Sequence, residues 1–125
     1  MKYQSETFHN RVYVGAHGNL SLEFAKLTAK AAPAGDVFQV LELPIGLKIT
    51  GVRLFTDGLG AGVTADVKAG EVSLISAEDV AAATALVTPI KPVFVDEKSP
   101  LTVTIGGAAA TGELDVMIEY VNVGY

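Results

Sequence analysis

The feature that most constrains this chain is strict alternation of apolar and polar residues over short segments. In the clearest case four apolar residues alternate with three acidic ones near the C-terminus. They are Leu114, Val116, Ile118 and Tyr120 against Glu113, Asp115 and Glu119. Successive side chains of a strand point to opposite faces, so this pattern predicts a strand with one buried and one solvated face.

Comparable segments recur along the chain between turn signals. Leu20, Leu22 and Phe24 alternate with polar residues, which predicts that these three lie on a buried face. Residues 37–43 are apolar on both faces, and 47–56 follow after a Pro-x-Gly turn. Gly51 stands where the apolar phase of that segment changes, which indicates a β-bulge or a bend.

The second half of the chain continues this organisation. Residues 63–67 and 71–75 flank an Ala-Gly turn, a hairpin signal. Short strands are expected at 93–95 and 101–105. In all, about eight or nine strands follow one another at spacings of roughly 8–12 residues, which is typical of sandwiches and barrels. The predicted fold is all-β, an antiparallel β-sandwich or jelly roll.

Two segments depart from the strand pattern. Residues 28–35, Thr-Ala-Lys-Ala-Ala-Pro-Ala-Gly, are expected to form a loop. Ser76 precedes two acidic residues and an alanine-rich run, which is a helix start signal. We therefore expect at most one short helix, near residues 78–86.

Length and composition fit one folded domain. The chain has 125 residues, half of them hydrophobic, which suits a single domain over residues 1–125 with a real core. Disordered chains combine low hydrophobicity with high charge, and this chain has neither property. Residues 1–10 are polar and show no strong period, so we interpret them as an extended N-terminal arm or a first edge strand.

Charge and cysteine usage exclude several classes of function. The net charge is −5, and the nine basic residues are scattered singly. Nucleic-acid binding normally uses a basic patch, and anionic membranes attract similar clusters, so neither partner is expected. No apolar run approaches the roughly 18 residues of a membrane span. The N-terminus lacks the apolar core of a signal peptide, which favours synthesis in a cytoplasm. Without cysteine there is no disulfide, thiolate metal site or thiol nucleophile.

Candidate metal and phosphate motifs fail their contextual tests. His9 and His17 lie eight residues apart, a spacing that matches no ligand motif. The run Gly58-Leu59-Gly60-Ala61-Gly62 is rich in glycine, but a phosphate-binding loop must open a helix, and a strand pattern follows. We predict no metal site, no cofactor and a mobile inter-strand loop here.

The sequence signals for catalytic groups are equally weak. Four carboxylates could in principle pair in catalysis, but nothing in the sequence places any two of them at a shared site; they are Asp57, Asp66, Asp96 and Glu97. Four serines are nucleophiles by residue type only, and none lies in Gly-x-Ser-x-Gly; they are Ser21, Ser73, Ser76 and Ser99. The prediction is that the chain has no catalytic, cofactor-binding or metal-binding residues and is not an enzyme.

Three segments carry a resemblance to a known family. They are the strand–turn–strand of 36–54, with its Leu43-Pro44-Ile45-Gly46 turn, the glycine-rich continuation 56–68, and the final strand 112–121. Their pattern resembles small virion proteins of tailed bacteriophages, among them the jelly-roll decoration, or cement, proteins. About half the chain is covered, and no site residue carries over.

The resemblance implies a structural role on the phage head. The expected function is a cement protein that binds the major capsid protein on the outer surface of the virion and stabilises the shell. It would be made in the host cytoplasm and would form a homo-oligomer. A ligand- or receptor-binding β-sandwich, or another phage part from the tail or head-completion complex, remains the alternative.

Overall fold

The computed structural model describes residues 2–5, 8–9 and 20–122. Within these ranges the chain forms nine strands and no helix, which confirms the all-β prediction and the expected number of strands. The strands are β1 Lys2–Gln4, β2 Leu20–Ala32, β3 Val37–Leu43, β4 Leu47–Thr56, β5 Thr64–Ala69, β6 Val72–Asp79, β7 Thr84–Phe94, β8 Ser99–Gly106 and β9 Ala110–Asn122.

The strands form two sheets with jelly-roll topology. One sheet has the order β2-β9-β4-β7, and the other has the order β1-β3-β8-β5-β6. Eight strands, β2 to β9, thus divide into two antiparallel groups of four in which the chain crosses repeatedly between the sheets. β1 is an addition that pairs in parallel with the edge of β3.

The core lies between the two sheets and is filled by alternate residues of both. β9 supplies its apolar series as predicted, since Leu114, Val116, Ile118 and Tyr120 are all fully buried. β9 lies between β2 and β4, so inward side chains of its neighbours flank its own on both sides, and the buried residues of the other sheet complete the same cluster. Burying such side chains contributes about 1.5–3 kcal/mol each relative to exposure, which explains why this strand has the strongest sequence pattern.

The predicted irregularity at Gly51 is confirmed. The pairing of β4 with both neighbours shifts between Ile49 and Gly51, which leaves Thr50 as the extra residue against β9. Both Ile49 and Val52 are buried, although their spacing of three would place them on opposite faces of a regular strand. The bulge therefore lets both halves of β4 face the core.

The predicted orientation of the start of β2 is wrong. Leu20, Leu22 and Phe24 are 65%, 49% and 45% exposed, whereas Ala25 and Leu27 are fully buried. The pairing of β2 with β9 is regular from Leu20 to Ala29, so the strand cannot turn both apolar sets inward. The regular pairing with β9 turns the apolar series that begins at Ala25 toward the core. Leu20, Leu22 and Phe24 therefore face outward.

The bounds of the predicted loop are corrected, and the prediction of at most one short helix holds with none formed in the described part of the chain. β2 continues to Ala32, so the loop expected at 28–35 begins only at Pro33. No helix forms near 78–86, because β6 runs to Asp79 and β7 begins at Thr84. A single helical turn costs more to nucleate than it returns, while both flanking segments gain sheet hydrogen bonds. The strand expected at 93–95 is the end of the longer β7.

Candidate interaction surface

The residues considered for metal binding or catalysis are dispersed over the fold. His9 is exposed, and its ring packs edge-on against Phe8 with centroids 5.0 Å apart. His17 lies outside the described residues. Within residues 2–5, 8–9 and 20–122, no three His, Asp or Glu side chains gather in a group that would hold a metal ion.

The four carboxylates considered for catalysis lie in three separate parts of the fold. Asp66, on β5, accepts a hydrogen bond from the backbone N–H of Ala77 on β6. Asp57 follows β4, and Asp96 and Glu97 lie in the connection from β7 to β8. The structure thus does not bring these four groups together.

The serines are similarly scattered. Ser21 lies on β2, Ser73 and Ser76 on β6, and Ser99 at the start of β8. The hydroxyl of Ser99 donates to the carbonyl oxygen of Glu97 at 2.9 Å, a local contact that closes the preceding turn.

The glycine-rich run is an inter-strand loop leading into β5, as predicted, but it is anchored rather than loose. Leu59 is buried. Its N–H donates to the carbonyl of Val80 at 3.0 Å, and its carbonyl accepts from the N–H of Thr111 at 3.0 Å. Gly58 and Gly60 both have φ of +119°, a conformation that glycine adopts most readily. These glycines let the chain turn on either side of the buried Leu59 side chain, so their role is structural.

The most distinctive surface is the outward side of the four-stranded sheet, called here the outer face. Among the described residues nine large hydrophobic side chains are exposed, and six of them lie on this sheet. They are Leu20, Leu22 and Phe24 on β2, Phe55 on β4, and Val87 and Phe94 on β7. A concentration of apolar side chains on one face is typical of an interaction surface.

Charged pairs lie between these apolar residues. Nη2 of Arg53 is 2.9 Å from Oε2 of Glu119, and Nζ of Lys26 is 3.2 Å from Oε2 of Glu113. Gly51, beside the β4 bulge, makes room for the first pair, because a Cβ at this position would overlap with Oε1 of Glu119. Glycine therefore leaves the space in which the Glu119 carboxylate reaches Arg53.

Asp115 lies on the same side of β9, opposite Lys26 on β2 and Phe55 on β4. Partial burial raises the pKa of this carboxyl above its usual value, the nearby Lys26 lowers it, and the negative charges of Glu113 and Asp57 raise it further. Covering this face with a partner would remove more water from Asp115, so docking would favour its protonated form.

Two open clefts mark the sides of the sandwich. One, of about 620 Å³, runs between β6 and β7 and is lined by residues 72–74 and 88–93. The other, of about 380 Å³, lies where β1, β2 and β3 meet and includes Tyr3, Lys30 and Asp36. Both are grooves between the edges of the two sheets. No helix in the described part of the chain is long and apolar enough to cross a membrane.

Fold and surface together define a class: a jelly-roll β-sandwich whose most distinctive surface is an apolar sheet face. No protein-family model and no curated protein matches the chain. Chains of solved structures, by contrast, match it in fold. A chain in the capsid of Ralstonia phage GP4 is 18% identical and superposes with a TM-score of 0.75, with 100% of both chains covered.

Two further phage capsids contain a similar chain. In the capsid asymmetric unit of cyanophage Pam1 the identity is 20% and the TM-score 0.68, with 90% of this chain and 94% of that chain covered. In the acid-stable capsid of Helicobacter pylori bacteriophage KHP30 the values are 18% and 0.58, with 87% and 92% covered. The sequence-based resemblance to phage virion proteins is thus confirmed as a likeness of fold.

Proposed function

We propose that this chain is a phage virion protein that decorates the outside of the head, binding the major capsid protein and cementing the shell. The observation that carries the proposal is the full-length match to a chain of the Ralstonia phage GP4 capsid, in which 100% of both chains is covered. The same fold recurs in two other phage capsids. A fold alone does not specify a function, so the proposal also draws on the surface.

The outer face is the surface that we assign to the contact with the shell. It combines apolar side chains with charges of both signs: Arg53 and Lys26 beside Glu119, Glu113 and Asp115. Interfaces that must form and hold on an assembled surface combine an apolar centre with polar surroundings. The net charge of −5 suits a site that meets protein and solvent rather than packaged nucleic acid.

We also propose that the chain is one domain made in the host cytoplasm and that residues 1–10 serve as an arm toward a neighbouring subunit. Lys2–Gln4 already adds to the edge of β3 as a parallel strand, and Phe8 is buried. Residues 2–4 of this segment thus bind a sheet edge of their own chain. To test the arm, a variant that lacks residues 1–10 is added to the binding assay once circular dichroism has verified that it folds.

The test is sedimentation of purified protein with undecorated heads of the phage that encodes it, followed by thermal melting of those heads. A protein that binds the assembled shell better than free subunits must stabilise the shell by mass action, by about 2.7 kcal/mol per site at 100 times Kd. We expect co-sedimentation and a higher melting temperature of the heads.

A matched pair of variants tests the contact surface. Phe55→Lys places a charge on the outer face, and Val72→Lys places one on the other sheet; the two original side chains are similarly exposed, at 42% and 45%. We expect Phe55→Lys to weaken head binding at least about tenfold, the effect of 1.4 kcal/mol, and Val72→Lys to leave it unchanged. Heads that neither bind the protein nor gain stability would rule out the cement role and leave another virion part or a ligand-binding module.

A further inference from the structure

Among the residues that the structure describes, the two sheets end in four edge strands, and three of these carry features that hinder pairing with another strand. β1 has only three residues. β7 contains Pro89 and Pro92, which lack a backbone N–H donor. β6 has Ala77 at φ 51°, pairs irregularly with β5 and ends in Glu78 and Asp79. Short length, proline, irregularity and charge are the usual protections of a sheet edge.

The fourth edge, β2, is the least protected of the four over its first residues, where Glu23 is the one charged side chain among residues 20–25. Within the described part of the chain β9 is its one partner strand, and the pairing is regular from Leu20 to Ala29. Lys26 and Lys30 protect the second half, whereas residues 20–25 contain neither lysine nor proline. A regular edge with exposed apolar side chains is the kind to which another strand adds.

The sequence of this edge is complementary to itself in one antiparallel register. With a two-fold axis at Leu22, that residue lies opposite Leu22 of a second copy, and Leu20 lies opposite its Phe24. On the other side of the strand Ser21 lies opposite Glu23. Moving the axis to Glu23 would place two like charges opposite each other, which is destabilising, and moving it to Phe24 would place Leu22 opposite Lys26.

The established pairing of β2 with β9 extends this match across the sheet. Leu20 is opposite Val121, Leu22 is opposite Glu119, and Phe24 is opposite Met117. A dyad perpendicular to the sheet keeps the outer faces of both copies on the same side. Each joined row then crosses four strands, and the three rows contain ten apolar side chains and two Glu119 carboxylates, each beside its own Arg53.

We propose that a second copy of this chain pairs with residues 20–24 of β2, edge to edge and antiparallel, so that two four-stranded sheets become one of eight strands. This inference rests on the proposed function, since it names how the decoration subunit associates and what it presents to the shell. It also gives Leu20, Leu22 and Phe24, which the fold leaves outside its core, a place in a continuous apolar face.

Pairing would enlarge the face presented to the shell. Four strands about 4.8 Å apart and 10–13 residues long give an outer face of roughly 750 Å², close to the about 800 Å² that each partner contributes to a standard interface. The joined face of two copies is about twice as large. Because the edge contact itself is only five residues long, pairing in solution is expected to be weak and to be reinforced on a shell by effective concentration.

Disulfide trapping tests the pairing and its register, since the chain has no cysteine of its own. Residues directly opposite in an antiparallel pair have Cα atoms about 4.5–5.5 Å apart, within the range that a disulfide bridges. We expect L22C to form a covalent dimer under mild oxidation well above the level of V87C, a control on β7 whose original side chain is somewhat more exposed, at 58% against 49%. Mixing L20C with F24C should give the mixed dimer in excess over either variant alone.

Sedimentation velocity of the unmodified protein, without heads and at rising concentration, then measures self-association. We expect a species of twice 13.0 kDa that L22K abolishes, because two lysines would face each other, and that V87K preserves. L22C that cross-links no better than V87C, a mixture of L20C and F24C without preference, or a trimer would overturn the proposal. Head binding by a chain that never pairs would overturn only the pairing and leave the decoration role intact.

Discussion

At the scale of single residues, Gly51 shows how one missing side chain organises a surface. It follows the extra residue of the β4 bulge, and the space above it holds the Glu119 carboxylate. Thr50 contributes as well, since its hydroxyl donates to the carbonyl oxygen of Glu119 at 3.3 Å. The bulge thus lets side chains on both sides of it, Ile49 and Val52, face the core. Gly51 leaves the space for the ion pair of Glu119 and Arg53 in the middle of the outer face.

This arrangement predicts coupling between Gly51 and Glu119. Gly51→Ala should lower the free energy of unfolding by about 1 kcal/mol, the low end of overpacking costs, because the new methyl group displaces the Glu119 carboxylate from Arg53. In a Glu119→Ala background the same change should cost little. Denaturant melts of the two single variants and the double variant measure this, and additive effects would contradict it.

At the scale of elements, β9 is the strand on which the four-stranded sheet is built. It pairs with β2 over residues 110–121 and with β4 over 114–122. Its inward side chains are fully buried from Leu114 to Tyr120, while Met117 on its outward side is only half-buried. Neighbouring residues of the same strand therefore carry very different shares of the stability.

A pair of substitutions on β9 tests these faces. Ile118→Ala should lower the free energy of unfolding by about 2–5 kcal/mol, since it leaves a cavity between the sheets. Met117→Ala, one residue away on the outward side, should cost less than half as much because solvent fills the space. Urea melts compare the two, and the opposite order would mean that the faces of the strand are reversed.

At the scale of the whole molecule, both sheets depend on each other. The strands of each sheet come from distant parts of the chain, and consecutive strands from β2 to β5 alternate between the sheets. Buried residues from both sheets form one hydrophobic cluster. Neither sheet can therefore keep its inner face dry when the other is lost, so we expect the two sheets to unfold together.

This dependence predicts a single unfolding transition. Far-ultraviolet circular dichroism, which reports strands, and the fluorescence of the four tyrosines, of which Tyr120 is fully buried in the core, should give the same urea midpoint, as two-state unfolding requires. The slope should be about 1–3 kcal/mol per molar urea. Two separated midpoints would show that the sheets unfold independently and that the chain is not one domain.

Local sequence pattern determined those features that depend on neighbours within one segment. The faces of β9, the bulge at Gly51 and the glycine-rich loop before β5 all follow from period-two alternation and from glycine at a phase change. The resemblance to phage virion proteins depended on the same strand and turn pattern. None of these predictions needed to know which strands pair.

Tertiary structure decided what local pattern left open. Residues 20–24 and 25–29 of β2 each alternate well but with opposite phase, and only the unbroken register with β9 showed which set is buried. The alanine-rich segment near 80 has a helix start signal, yet the strands on either side gain more from sheet pairing than one helical turn could return. The outer face was invisible for the same reason: which side of a strand faces water is fixed by its partners, and those lie far away in the sequence.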